Sequence, residues 1–196
     1  MEPKIKILKA AIDLFSQRGF TATSLREIAM LASVNMAMIN YYFISKDKVL
    51  ENILDSWLSS VLVESQTIIN GEDTEIDKME SIVNILLHYI FSNKQIALIY
   101  FQAQMTNSHP EVKIKLQKAN EANYKNFEHL IQAGQKSNVF NKDISPFLFY
   151  FSLMGTIQQA LVNMRTANSD FISKQDAKSK VSQHIKSLCR SLLIRD

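Results

Sequence analysis

Only four glycines and three prolines are spread over the 196 residues, roughly half to a third of ordinary usage. Sandwiches, barrels and doubly wound sheets turn often and need more such residues. A chain this poor in them is expected to be all-α, with long helices and few connections. Hydrophobic residues at 46% and charged residues at 21% supply both a core and a wetted surface. The single cysteine, Cys189, excludes an internal disulfide and a multi-cysteine zinc module. The opening Met1-Glu2-Pro3-Lys4-Ile5-Lys6 has no apolar run ahead of a small-residue cleavage site. The expected compartment is therefore the reducing cytoplasm.

Apolar spacing places about nine helices. Ile7, Leu8, Ala11, Ile12, Leu14 and Phe15 recur at three- and four-residue steps over Lys4 to Gln17, and Gly19 stops that helix behind Arg18. Ser24 with Glu27 forms a capping-box pair for a short helix from Leu25 to about Ala32. Ser33-Val34-Asn35 is a tight turn, and Asn35 can cap a third helix to Tyr42 or Phe43. Ser45 can cap a fourth, reaching about Ile69. Further helices are expected over about 75–91, 94–105, 110 to near Asn138, 146–167, and from a Ser173 cap onward. Pro110 and Pro146 suit first turns. Residues 144–164 carry no charge, yet Ser152, Thr156, Gln158, Gln159 and Asn163 interrupt them and no basic loop sets an orientation. A helix buried on most sides in a protein or dimer explains that stretch better than a membrane span.

Three short helices in about 45 residues, the second and third joined by three residues, describe a helix-turn-helix. The turn must swing the third helix so that it projects into a major groove about 12 Å wide. Charge alone does not argue for DNA. The net charge is +3, of which residues 1–56 contribute +1. A three-helix core without a ligand fits the same pattern.

The residues favour the first reading. Ile7-Leu8-Lys9-Ala10-Ala11-Ile12-Asp13-Leu14-Phe15, Gly19-Phe20, Thr23-Ser24-Leu25-Arg26-Glu27-Ile28-Ala29, Val34, Ile39-Asn40-Tyr41-Tyr42-Phe43 and Ser45-Lys46-Asp47-Lys48-Val49-Leu50 follow one another in order. This closely resembles the DNA-binding segment of TetR/AcrR-family transcriptional regulators, over about residues 5–50. The resemblance implies an all-α homodimer. A helix-turn-helix domain, 1–46, would be joined to a larger helical bundle for ligand binding and dimerisation, 47–196. It implies that the third helix reads operator DNA, and that Tyr42 and Lys46 stand where the family commonly touches phosphates. Lys48 is a further candidate phosphate partner. Thr23 and Ser24 offer hydroxyls and backbone N–H groups to a phosphate, and plain capping serves them equally. Arg26 can reach the backbone or a base edge, or remain a solvated surface arginine.

Two departures bear on specificity. The family's turn glycine is Ser33 here, and the third helix opens Asn35-Met36-Ala37-Met38 with no Lys or Arg between 34 and 43. The strongest reader of guanine is absent. Asn35 and Asn40 can pair with adenine edges, Met36, Ala37 and Met38 can pack on thymine methyls, and Tyr41 can reach a base or phosphate. The expected half-site is A/T-rich.

In the C-terminal part, the resemblance makes the last two helices the dimer contacts. Gly155 and Gln159 lie on the uncharged helix, and Val181, Ile185, Leu188 and Leu192 on the final stripe. Packing within one subunit is the other reading. Tyr89, Tyr100, Phe101, Gln104, Met105, Asn120, Asn123, Phe127, Phe151 and Met154 are candidates for a small-molecule pocket, an apolar lining with a few fixed polar groups. Such stripes also build ordinary cores.

Catalytic and metal motifs are missing from the sequence. There is no H-E-x-x-H, G-x-S-x-G, P-loop or G-x-G-x-x-G, and the histidines 88, 109, 129 and 184 stand apart. No metal and no cofactor is expected. The partners expected are double-stranded DNA, a small apolar or amphipathic effector and a second copy of the chain, with no membrane. The expected function is a cytoplasmic, nucleoid-associated repressor, not an enzyme. An architectural protein that binds DNA without an inducer is the alternative, and a small all-α enzyme a more distant one.

Overall fold

The computed structural model describes residues 2–105, 110–166 and 174–193. Among them are nine helices: α1 Pro3–Arg18, α2 Leu25–Ala32, α3 Met36–Phe43, α4 Lys46–Ile69, α5 Glu75–Ser92, α6 Lys94–Met105, α7 Pro110–Lys136, α8 Pro146–Thr166 and α9 Lys174–Leu193. The expected Ser173 cap lies outside the described residues.

Local chemistry sets most of these boundaries. Gly19 ends α1 at φ 82°, and its N–H donates to the Phe15 carbonyl at 2.9 Å. That backbone conformation suits glycine and little else. Asn138 ends α7 at φ 62°, as its short polar side chain allows. At the end of α2, Ser33 adopts φ 53°, ψ 47°, the left-handed geometry that a glycine would take without cost. Ile44, between α3 and α4, adopts φ 62°, ψ −43°, and Ser45 N–H turns back to the Phe43 carbonyl. For a β-branched residue this is a strained γ-turn.

The helices form two compact units that do not follow chain order. The first comprises Met1–Ser59 and Asn93–Lys118. Its α1 packs on α2, α3 and α6. Ile7, Ala11 and Phe15 of α1 are wholly buried, as are Ile28 of α2 and Ile39 of α3. Gln95 at the start of α6 donates to Asp13 Oδ1 at 2.8 Å and to Ser16 Oγ at 3.3 Å, tying α6 to α1. Trp57 and Tyr100 rings lie 5.3 Å apart in the same unit.

The second unit comprises Ser60–Ser92 and Ala119–Asp196, with α9 packed on α5 and α8. Ile131, Leu153, Ile157, Leu161 and Ile185 fill its core. At the end of α7, a Cβ on Gly134 would stand 2.1 Å from the Phe140 ring, so the chain's return over that helix requires glycine there. Helix α8 is not enclosed within the single chain. Phe147, Leu148, Phe151 and Val162 are exposed along one side. Among the described residues, no single helix is long and apolar enough to cross a membrane.

Candidate nucleic-acid interface

The first unit presents α3 on a firmly capped base. Ser24 Oγ accepts from Glu27 N–H at 3.2 Å, and Glu27 Oε2 accepts from Ser24 N–H at 2.7 Å. This is the expected capping box, and it keeps the Glu27 carboxyl below its ordinary range. Asn35 Oδ1 accepts from Met38 N–H at 2.9 Å and caps α3. One side of α3, Ile39 and Phe43, is buried. The other side, Ala37, Asn40 and Tyr41, is exposed at the i, i+3, i+4 spacing of a single face, and Ile44 in the turn that follows is exposed as well. Met36, Met38 and Tyr42 flank it half-buried, and Tyr42 stacks edge-on against Tyr41 at 5.0 Å. Tyr41 and Ile44 are each 81% exposed, which is high for large apolar side chains. Ile44 is absent from the sequence-based set. Nothing in the local pattern shows that the turn after α3 points it outward.

The basic and hydroxyl groups around α3 divide into two kinds. Ser24 and Arg26 are exposed. Thr23, by contrast, is buried and its hydroxyl donates to the Gly19 carbonyl at 2.9 Å, so it offers no side chain to a partner. Lys46 also turns inward. Its ammonium donates to the carbonyls of Phe20 at 2.9 Å and Thr23 at 2.6 Å, and lies 4.2 Å from the centre of the Phe20 ring. The resulting loss of water pushes its pKa down. Lys48 pairs with Glu51 at 2.7 Å and with Glu111 at 3.7 Å. Glu51, itself nearly buried, also accepts from Lys115, which pairs with Asp55 at 3.1 Å.

The effector candidates fall in both units. Tyr100 and Phe101 are buried in the first, where Gln104 and Met105 are exposed. In the second, Phe127 is buried and stacks on Phe149 at 5.7 Å, while Phe151 is exposed and touches Phe147 at 4.6 Å. Tyr89 donates to Glu64. Asn120, Asn123 and Met154 are half-buried. Asn123 Oδ1 and Asn126 Nδ2 are buried without a hydrogen-bond partner. Sequence reasoning missed Asn126, although it stands three residues after Asn123 on α7.

Of the expected dimer contacts, Gly155 and Gln159 are exposed on α8, and Val181, Leu188 and Leu192 are half-buried on α9. Ile185 is a correction. It is wholly buried in its own subunit and has no surface to give to a second chain. Burial pushes the Tyr150 phenol up to about 12 and the Cys189 thiol up to about 11, so both stay neutral and unreactive at neutral pH. Among the described residues, no three metal-ligating side chains come together.

Residues 7–53 match the family model described as bacterial regulatory proteins, tetR family. YttP of Bacillus subtilis, an HTH-type transcriptional regulator by name, is 32% identical over 102 residues, covering 50% of this chain and 49% of that one. NicS of Pseudomonas putida, named an HTH-type transcriptional repressor, is 28% identical over 139 residues, covering 70% and 66%. The chain thus spans about half to two thirds of these relatives' own lengths. Among solved structures, the ketosteroid transcriptional regulator KstR2 of Mycobacterium tuberculosis superposes with a TM-score of 0.78 at 16% identity, over 100% of this chain and 96% of that one, and shares the fold. The matched segment runs from α1 into α4 and contains the capped helix pair with its exposed α3 face: residues 7–53 form a domain of the kind described for the tetR family of bacterial regulatory proteins.

Proposed function

We propose that the protein is a DNA-binding transcriptional repressor that reads a palindromic operator as a homodimer and is released by a small apolar or amphipathic ligand. The observation that carries this reading is the exposed face of α3, Ala37, Asn40 and Tyr41, followed by the exposed Ile44, on a helix whose other side is buried. Asn40 and the free amide end of Asn35 suit adenine edges, and Met36, Ala37 and Met38 suit thymine methyls. Ser24, Arg26, Tyr42 and Lys48 would meet phosphates around that helix. Lys46 contributes by holding the loop that leads into α2. Arg26 and Lys48 are the cationic members, about four charges per dimer, so log K should fall against log[salt] with a slope of roughly −4.

The functional division falls at residue 46, reading head before and ligand and dimerisation body after, and it cuts across the compact units. The apolar side of α8, open in the single chain, supports dimerisation through Gly155 and Gln159 with Val181, Leu188 and Leu192 of α9. Two-fold symmetry then gives two equivalent recognition helices, for which half-sites about one duplex turn apart are the geometric default. The orphaned amide atoms of Asn123 and Asn126 support an effector site in the second unit, with Tyr89, Asn120, Phe127 and Met154. An unmet buried amide costs about 1–3 kcal/mol, which a ligand's polar group would offset. The repressor role is consistent with the name of NicS. As a reader of operator DNA, the protein works in the cytoplasm, on the nucleoid.

The test is footprinting of the DNA upstream of the protein's own gene and its neighbours, then a salt titration. Protection of a two-fold site with a steep negative slope is expected. A slope near zero, or no protected site, overturns the reading. A site bound equally with every small molecule tried would favour an architectural protein.

A further inference from the structure

We infer that the first compact unit carries a ligand site of its own, a cleft among α1, α4, α6 and the α1–α2 loop, that takes a short apolar carboxylate. The cleft has a volume of about 360 Å³, inside the range of small-molecule sites. Its walls are Phe15, Leu50 and Ile99, all almost fully buried, with Phe20 and Ala103. Its mouth is the loop 19–22, where the space beside Gly19 is open: a Cβ there would meet nothing within 4 Å. All of these residues belong to the first compact unit. The site is therefore separate from the effector site proposed in the second.

The rim supplies the polarity. Arg18, Thr21 and Gln102 line the cleft and are its polar side chains, Arg18 the charged one. The Arg18 guanidinium is held by a single contact, Nη1 to Glu27 Oε1 at 3.2 Å, and its side chain is 57% exposed. A guanidinium has five donors in a planar fork suited to two carboxylate oxygens. An apolar tail against Phe15, Phe20 and Ile99, with a carboxylate on Arg18, therefore satisfies wall and rim together. A cation would meet Arg18 with like charge, and a fully apolar molecule would leave the fork unused.

Position gives the site a consequence. The loop that forms its mouth leads directly to Ser24, and the carboxylate would compete with Glu27, the capping partner of Ser24, for Arg18. An occupant thus touches the entry to α2. That regulatory consequence rests on the DNA-binding reading. The binding site does not.

The experiment uses the full chain with octanoate and, as the neutral control, 1-octanol. Backbone amide shifts locate binding, and a DNA titration is run separately. Octanoate should saturate with shifts centred on Gly19, Phe20, Ala22, Gln102 and Ala103. Arg18→Gln should weaken octanoate by roughly threefold and leave octanol unchanged, as expected for one exposed charge contact. Glu27→Gln, which keeps a capping-box side chain, should tighten octanoate. Filling the cleft with Ala103→Phe, or covering it from the exposed loop with Ala22→Trp, should abolish the shifts. Thermal melts of both variants establish that they fold. Saturable shifts only elsewhere, or full binding in a folded Ala22→Trp, overturn the inference. If octanoate occupies the cleft but the protein binds no duplex, the site stands and the DNA reading fails.

Discussion

Lys46 Nζ stands 2.6 Å from the carbonyl oxygen of Thr23, a residue 23 positions earlier. The lysine also takes the Phe20 carbonyl and covers the Phe20 ring. A cation so placed holds the loop between α1 and α2 in shape. It does not stand free as a phosphate hook. Lys46→Met should lower stability by about 1 kcal/mol through the lost charge-assisted bonds. It should weaken operator binding while leaving the slope of log K against log[salt] unchanged. A slope shallower by about two units, one per protomer, would show instead that the ammonium reaches a phosphate.

Glu51 gives the first unit a pH dependence. The hydrogen bond from Lys115, then that from Lys48, holds its carboxyl below the ordinary value of 4.5. A depressed carboxylate stabilises the fold above its unfolded pKa, and that stability is lost as pH falls through the folded value. The pKa values of Lys48 and Lys115 are raised above 10.5, mainly by their bonds to Glu51. Their contribution is present at neutral pH and is lost as pH rises through the raised values. Glu51→Gln should therefore flatten the loss of stability at both ends and cost about 1 kcal/mol between them. Denaturant midpoints from pH 3 to 11 measure this. Unchanged curvature would mean the cluster does not couple to folding.

Gly155 faces open space on α8 in the single chain. Exchanging an exposed mid-helix glycine for alanine or leucine ordinarily stabilises by about 0.5–1 kcal/mol. If a second α8 lies against it, a leucine there separates the helices. Gly155→Leu should sediment as a monomer with its helical signal intact. A stable dimer in this variant would remove α8 from the interface.

Asn40 is the polar member of the exposed α3 face. Asn40→Ala should reduce discrimination at one adenine position of each half-site by about 1–3 kcal/mol and leave other positions unaffected. Selection from a randomised duplex pool compares the two proteins. Identical consensus sequences, or G-rich half-sites for either, would contradict the adenine assignment.

Ser33 carries a left-handed conformation that favours glycine. Ser33→Gly relieves that cost but adds freedom to the unfolded chain, so the net gain should be about 0.5 kcal/mol. A falling thermal midpoint would show that the serine side chain makes a compensating contact.

The helix boundaries were legible in sequence because their causes are local. A capping pair such as Ser24 and Glu27, a stop such as Gly19 and a first-turn proline act within four residues of themselves. What the sequence could not show depends on distant chain segments. Thr23 reads as a surface hydroxyl until the Gly19 carbonyl accepts its hydrogen bond. Lys46 reads as a free cation until the loop 20–23 folds back over it. Ile185 belongs to the same apolar stripe as Leu188 and Leu192, and only the packing of α9 on α5 and α8 separates the enclosed residue from its half-open neighbours. The grouping of α6 with α1 depends on Gln95 reaching Asp13 and Ser16 across about eighty residues.

The fit of Phe140 over Gly134 ties two places in the chain to a common fate. The Val139 and Phe140 amides both donate to the Gly134 carbonyl, at 2.8 and 2.9 Å, so the backbone brings the ring down on that glycine. A methyl group at 134 has room only if the ring at 140 is cut back. Descendants of this sequence that keep the fold would therefore have to alter both sites together or neither.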